Sequence, residues 1–243
     1  MLMFKGTVLC VPRSDGIRYA AKYLSEFGIP VTDKCGPDVT HLLLPVPSFL
    51  QGDTYLAYYL GRLPEDVLIF GGNLDSPLLA GYRVVDLLQD PYYLASNAAI
   101  TADCALELIR NHFPTGLQEK TALIIGWGRI GKCLGKLLER RQVSVSIAAR
   151  NPKDLAMIRA LGYEAVPISG LPDVTGRFDL ILNTVPQMVL PEPVLKSGCL
   201  AMELASRPGI GGNAVLSARG LPGKMAPDRS GKLIAETFVR LTM

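Results

Sequence analysis

The stretch Ala122-Leu123-Ile124-Ile125-Gly126-Trp127-Gly128-Arg129-Ile130-Gly131 decides the fold. Its glycines have the spacing Gly-x-Gly-x-x-Gly, directly after an apolar strand pattern and before an amphipathic helix pattern over residues 130–141. In a dinucleotide-binding fold the first glycine allows a tight turn, the second admits a pyrophosphate and the third lets the helix pack on the strand. The N–H groups at the helix start then face the phosphates. We therefore predict a cofactor loop made of Gly126, Trp127, Gly128, Arg129, Ile130 and Gly131.

The residues around this loop alternate between strand and helix patterns, as in a doubly wound nucleotide-binding domain. The predicted strands are residues 121–126, 143–149, 164–167, 178–183 and 200–204, with a possible last edge strand at 221–225. The predicted helices are residues 130–141, 152–161 and a closing helix at 228–241.

A second block of the same kind precedes the first. Its strand patterns are residues 6–11, 39–44, 67–70 and 83–86, its helix patterns are 17–27 and 55–60, and a long helix from about residue 92 to 113 joins the blocks. The predicted fold class is therefore α/β, with two doubly wound parallel-sheet domains. We expect a flavodoxin-like substrate domain at residues 1–95, a Rossmann NADP-binding domain at residues 96–243, and a site in the cleft between them.

Composition narrows the class of protein. The chain is 49% hydrophobic and 19% charged, which excludes predominant disorder. Its 25 basic and 22 acidic residues are evenly spread, so we expect no nucleic-acid partner and no membrane surface. The N-terminus lacks a signal-peptide pattern, and the five cysteines have no CxxC spacing, which favours a cytoplasmic protein without a metal site. We read each cysteine as a small buried apolar residue.

The choice of nicotinamide cofactor depends on the end of the strand at residues 143–149. NAD-binding sites place a carboxylate there for the ribose 2′-hydroxyl. This chain instead continues Arg150-Asn151, with Lys153 nearby, and its first carboxylate is Asp154. Because an arginine can pair with a 2′-phosphate, we predict NADP, with NAD as a possible substitute. The alternative is that Arg150 only points into solvent.

Further cofactor contacts are expected where parallel strands end, because ligands bind outside the carboxyl ends of such strands. One loop follows the strand at 178–183, and another follows the strand at 200–204. A third segment, residues 220–227, is rich in small residues that would let the backbone approach a flat ring. The candidates from these segments are Asn183, Thr184, Val185, Pro186, Ala205 and Met225.

Several of these motifs recur, in this order, in a known family. They are Gly126–Gly131, Ala149-Arg150, Asn183-Thr184-Val185-Pro186, Leu204-Ala205-Ser206-Arg207-Pro208-Gly209 and Gly220-Leu221-Pro222-Gly223 with Ala226-Pro227. Together they resemble the A-type subunit of dipicolinate synthase from spore-forming bacteria. The resemblance is clear over residues 96–243 and weaker before them.

This resemblance implies an oxidoreductase that takes a dihydrodipicolinate-type dicarboxylate to pyridine-2,6-dicarboxylate with NADP. It also implies sporulation and a flavoprotein-like partner, the B-type subunit, and we expect an oligomer. A planar dicarboxylate needs cationic or hydroxyl donors, and Arg207 is the preferred one because its fork of donors suits a carboxylate. Its alternative is a surface arginine before a Pro-Gly turn. The substrate-binding candidates are Arg13, Ser14, Ser48, Asn97, Thr101, Ser206 and Arg207.

Two other functions remain open from the sequence. The first is a reductase similar to the D-2-hydroxyacid dehydrogenases, which use a catalytic histidine after the last strands of the cofactor domain. The two histidines here, His41 and His112, are elsewhere and are read as structural residues. The second is a non-catalytic NADP-binding regulator, because no residue is an unambiguous acid or base and the catalytic group stays unknown.

Overall fold

The computed structural model describes residues 4–48 and 55–242. The backbone divides into two compact units, Met1–Asn97 with Pro222–Met243, and Ala98–Leu221. Each unit is built on one sheet in which every described strand pair is parallel. The predicted fold class, α/β with two parallel sheets, is confirmed.

The first unit has five strands in the order β2-β1-β3-β4-β5, which is the flavodoxin-like order. Its apolar strands bury residues on both faces, as a sheet covered by helices requires. The elements are β1 (Thr7–Cys10), α1 (Asp15–Glu26), β2 (Val31–Thr32), β3 (Val39–Leu43), α2 (Tyr55–Leu60), β4 (Leu68–Gly71) and β5 (Arg83–Asp86). The helix α3 (Pro91–His112) follows, and the division between the units falls inside it, after Asn97.

The second unit has six strands in the order β11-β10-β9-β6-β7-β8, which is the order of the dinucleotide-binding fold. Its elements are β6 (Thr121–Ile125), α4 (Arg129–Glu139), β7 (Ser144–Ala149), α5 (Pro152–Ala160), β8 (Glu164–Pro167), α6 (Leu171–Val174), β9 (Leu180–Asn183), β10 (Leu200–Glu203) and β11 (Val215–Ser217). Strand order reverses beside β6, so the carboxyl ends of β6 and β9 mark the expected ligand position.

The sequence interpretation of residues 221–225 as an edge strand is wrong. They form the short helix α7 (Leu221–Met225), and the edge strand is β11, which pairs in parallel with β10. Pro222 near the helix start has the backbone angle that a first helical turn needs, and it lacks the N–H that a strand ladder uses.

The closing helix α8 (Pro227–Thr242) belongs to the first unit, whereas the sequence interpretation places it with the cofactor domain. Its apolar face, with Ile234 and Phe238, shares a buried cluster with Ile17 and Leu24 of α1. A Cβ at Gly231 would collide with the backbone of α1, so this glycine permits the close approach of the two helices. The Tyr23 hydroxyl also donates to Asp228 at 3.0 Å. The position of α8 is therefore set by tertiary packing, which no local sequence pattern encodes.

Within the residues that the structure describes, no helix has the length and apolar character to cross a membrane. No group of three His, Cys, Asp or Glu side chains in that part of the chain is arranged around a metal position. The five cysteines are free thiols. Cys10 and Cys104 are buried as expected, and burial raises the pKa of Cys10 to about 12. The other three, Cys35, Cys133 and Cys199, are only half-buried, so that expectation is wrong for them.

Candidate functional site

The glycine loop runs from the end of β6 into α4, as the sequence predicts. Gly126 has φ +108°, a left-handed value that favours glycine, and a Cβ there would collide with the Thr184 hydroxyl. A Cβ at Gly131 would collide with the carbonyl oxygen of Gly126. These two glycines are therefore required by the fold itself.

Gly128 differs from them. Its φ of −80° and ψ of −169° are available to any residue, and no described atom beyond its own chain neighbours lies within 4 Å of the place where its Cβ would stand. It is the residue before α4, and it supplies no side-chain cap, so the first N–H groups of α4 are left for another acceptor. An open cradle at a helix N-terminus fits the pyrophosphate of a dinucleotide.

A cavity of about 700 Å³ lies beside this loop. Gly126 and Trp127 form one wall, the end of β7 and the start of α5 form another, and Val185 belongs to the loop after β9 that closes it. Trp127 is the single tryptophan of the chain. It also packs edge-on against Tyr163, with 6.1 Å between ring centroids. Its emission is therefore a specific reporter of this cavity.

Arg150 lines the cavity, and its exposed guanidinium forms no hydrogen bond or ion pair with the described residues. Asn151 lines it too, but its side chain accepts a hydrogen bond from the Lys153 N–H at 2.9 Å and so caps α5. Lys153 is exposed and does not form part of the wall. The structure adds Asp154, which also lines the cavity. Among the described residues that line this cavity, Arg150 is the one cation.

The loops after β9 and β10 are joined by two buried polar side chains. Asn183 is 0% exposed and Glu203 is 3% exposed. The Asn183 amide donates to both carboxylate oxygens of Glu203, at 2.8 and 3.0 Å, and to the Val185 carbonyl at 2.9 Å. Asn183 therefore acts between the loops, and its amide is not free for a cofactor.

The other candidates from these loops fall into two groups. The Thr184 hydroxyl donates to the Ile125 carbonyl at 2.9 Å, so it ties β9 to β6. Ala205 is buried, and its backbone N–H donates to the Glu203 carboxylate. Pro186, Ser206 and Arg207 are exposed, and Arg207 has no partner among the described side chains. Only the second group faces solvent and can meet a ligand through its side chains. Met225 is half-buried in α7.

The candidates of the first unit and the joining helix carry roles within the fold. Arg13 is exposed and lies over the Tyr55 ring, 4.2 Å from its centroid. Ser14 caps α1 by accepting from the Ile17 N–H at 3.3 Å. Ser48 is 3% exposed, donates to the Pro45 carbonyl at 2.7 Å and accepts from the Gly72 N–H at 3.1 Å. In α3, Asn97 is half-buried and Thr101 buried. Only Arg13 presents an exposed polar group.

Neither histidine is among the residues that line the cavity. His41 is half-buried among aromatic rings of the first unit, with its ring centroid 5.0 Å from that of Phe4 and 5.5 Å from that of Phe238. Burial and then the charge of Arg83 lower its pKa. His112 is exposed at the last turn of α3 and contacts Phe113.

Sequence reasoning missed Glu203 as part of the site. Its signal was present, since a lone carboxylate ends the otherwise apolar strand Leu200–Glu203. A buried carboxylate must find donors, so a glutamate in that position predicts N–H groups converging on it.

The chain resembles known proteins in sequence and in fold. No known family profile matches the chain. The A-type subunit of dipicolinate synthase from Bacillus subtilis (strain 168) is 27% identical over 199 residues, which cover 75% of this chain and 67% of that protein. The crystal structure of the dipicolinate synthase A-type subunit from Bacillus subtilis has a TM-score of 0.83 at 20% identity and covers 99% of this chain and 96% of its own.

Other folds are similar as well. The crystal structure of the corresponding dipicolinate synthase protein from Bacillus halodurans has a TM-score of 0.81 at 20% identity and covers 99% of both chains. An L-alanine dehydrogenase structure has a TM-score of 0.67 at 12% identity and covers 90% of this chain and 75% of its own. Sequence and fold comparisons both point to the A-type subunit of dipicolinate synthase, so the resemblance read from the motifs is confirmed.

Proposed function

We propose that this chain is an NADP-dependent oxidoreductase that corresponds to the A-type subunit of dipicolinate synthase. It oxidises a dihydrodipicolinate-type dicarboxylate to pyridine-2,6-dicarboxylate. The observation that carries the proposal is the open cradle at Gly128, which the fold does not need and a pyrophosphate does. The similarity to the dipicolinate synthase protein of Bacillus subtilis and the dehydrogenase fold of a structural neighbour support the same reaction class.

The cradle and the cavity define how this chain would hold the cofactor. The N–H groups at the start of α4 would bind the pyrophosphate. Arg150 would pair with the 2′-phosphate, because a guanidinium meets two phosphate oxygens with parallel N–H donors. Asp154 also lines the cavity and would repel that phosphate, so the preference for NADP depends on Arg150 being the nearer group.

When bound, the nicotinamide would accept a hydride from the substrate ring, while the ring loses a proton to solvent. Both losses together make the ring aromatic, so the step does not demand a dedicated general base such as the histidine of hydroxyacid dehydrogenases. The task of the chain is then to hold two carboxylates. Arg207 and Ser206, exposed after β10, would supply charged and hydroxyl donors for one of them.

The partner and setting follow from the same proposal. A flavoprotein-like B-type subunit would assemble with this chain, which would act as an oligomer in the cytoplasm. The proposed reaction needs neither a nucleic acid nor a membrane.

The test is turnover of dihydrodipicolinate with NADP by the purified chain, with and without the flavoprotein-like partner. Formation of NADPH together with a pyridine product is the expected result. Turnover of 2-hydroxy acids alone would show a hydroxyacid dehydrogenase instead. Tight NADP binding with no turnover in either mixture would show a regulatory protein.

A further inference from the structure

The loop at residues 205–210 is held at both ends by one carboxylate. Glu203 accepts from the Ala205 N–H at 3.0 Å, the Gly209 N–H at 2.7 Å and the Ile210 N–H at 3.4 Å. Between these anchors, residues 206–208 remain exposed. Glu203 thus fixes where the exposed part of the loop leaves the sheet and where it returns.

Glu203 has no cationic partner among the described residues. With the Asn183 amide, its two oxygens receive four N–H-bearing groups, so the carboxylate is compensated by dipoles alone. A carboxylate whose oxygens are occupied in this way is not placed to take a proton from a substrate. A buried carboxylate is costly unless donors converge on it, and here every donor comes from the two loops that the carboxylate joins.

Those loops carry the exposed groups of the site. Asn183 connects Glu203 to Val185, which lines the cofactor cavity. A Cβ at Gly209 would collide with the Asn183 amide, so the two loops are in close contact. Pro208 restricts the backbone of Arg207 to extended conformations, so with both loop ends fixed the point from which this side chain leaves the backbone is fixed as well.

We infer that Glu203 is a positioning residue that holds the 205–210 loop so that Ser206 and Arg207 meet a substrate carboxylate. The inference rests on the proposed function. Glu203 does not touch the substrate itself. It acts through the backbone of the loop, and therefore through Arg207.

The variant Glu203→Gln tests this, because it keeps the side-chain size but turns an N–H donor toward the loop N–H groups. Hydrogen exchange should accelerate at the Ala205, Gly209 and Ile210 amides. The kcat/KM for the dicarboxylate should fall by roughly tenfold or more, the scale of a lost charge-assisted hydrogen bond. The dissociation constant of NADP, followed by Trp127 emission, should change less than about threefold. Steady-state kinetics at saturating NADP separate the two effects.

The matched control is Asp179→Asn. Asp179 is also a carboxylate that accepts a backbone N–H, from Thr121 at 3.0 Å, but it stands at the opposite end of β9 from Asn183. Its variant should lower stability without changing the exchange of the loop amides or the kcat/KM. A general loss of stability is thereby distinguished from a loss of positioning.

A double-mutant cycle with Arg207→Ala tests whether Glu203 acts through Arg207. If it does, Glu203→Gln should lower kcat/KM by a much smaller factor in the Arg207→Ala background than in the parent. Equal losses in both backgrounds would overturn the inference. Should Glu203→Gln fail to fold, Asn183→Ser removes one donor and keeps the three backbone donors, and a smaller change in the same direction is expected.

Unchanged exchange at the three loop amides in a folded Glu203→Gln variant would also overturn the inference. If the parent protein turns over no dicarboxylate, the proposed function fails. The exchange measurement would still decide whether Glu203 holds the loop, because it does not depend on activity.

Discussion

Replacing Gly128 by valine should separate cofactor binding from folding. The Cβ of residue 128 would enter space in which no protein atom lies within 4 Å, and the backbone there is already in an extended conformation. The cost to folding is that of a poor residue before a helix, about 1 kcal/mol. In a chain of this size that lowers Tm by about 2–4 °C.

The effect on the cofactor should be far larger. A branched side chain would occupy the place of the pyrophosphate and keep it from the N–H groups of α4. Losing two charge-assisted hydrogen bonds at about 1.5 kcal/mol or more each gives a loss of roughly a hundredfold or more in affinity. Isothermal titration calorimetry with NADP measures this directly, and Trp127 emission supplies a second readout.

Gly131→Val is the matched comparison. Its Cβ would collide with the Gly126 carbonyl, so this variant should lose stability by about 1–3 kcal/mol or more. Gly128→Val should therefore be folded and unable to bind, and Gly131→Val should be poorly folded. If folded Gly128→Val binds NADP within about threefold of the parent, the assignment of the cradle is refuted.

Three further predictions concern charged side chains. Arg150→Asp should weaken NADP binding by about tenfold to a hundredfold and shift the preference toward NAD. Titrations with both cofactors measure this. A change below about twofold in the dissociation constants would show that Arg150 does not contact the 2′-phosphate. Arg207→Ala should lower the kcat/KM for the dicarboxylate more than Arg207→Lys does, while both leave the NADP dissociation constant nearly unchanged; parent-like kinetics would make Arg207 a surface residue. Although burial alone would raise the pKa of Asp179, hydrogen bonds from Lys196 and Thr121 lower it to about 2. Because that folded value lies below the unfolded one, Asp179→Asn should lower the free energy of unfolding by about 2 kcal/mol near neutral pH. This difference from the parent should disappear as pH falls from about 4 to about 2. Urea unfolding at several pH values measures it, and a difference that stays constant with pH would contradict the reasoning.

The parts of the fold that the sequence predicts are those that local pattern encodes. The glycine spacing at Gly126–Gly131 is informative because a strand precedes it and a helix follows, and both are present. The segment Leu221–Met225 is a short apolar run, and such a run fits a strand or a buried helix equally. Only the pairing of β11 with β10 decides the edge of the sheet, and that is a contact between distant residues.

The candidate site, too, can be predicted from the sequence only where local pattern determines it. The position of Arg150 after β7 follows from the strand pattern, and the structure places it on the cavity. The uses of Ser48, Thr184 and Asn183 do not follow from the sequence, because each polar group is occupied by a partner that is distant along the chain or lies in another loop. Residue type alone identified these side chains as polar but could not show that their hydrogen bonds were already formed.

The return of α8 to the first unit imposes an order on biosynthesis. The ribosome completes residues 1–97 long before it reaches residue 222, because about 120 residues of the second unit come between them. At about 5–20 residues per second, that interval lasts roughly ten seconds. During it, Ile17 and Leu24 of α1 lack the helix that covers them, and only at its end have all strands of the second unit been synthesised. We therefore expect the nascent chain to complete its second unit first. Until α8 is made, the apolar surface of α1 stays exposed, and chaperones that bind apolar segments could bind it.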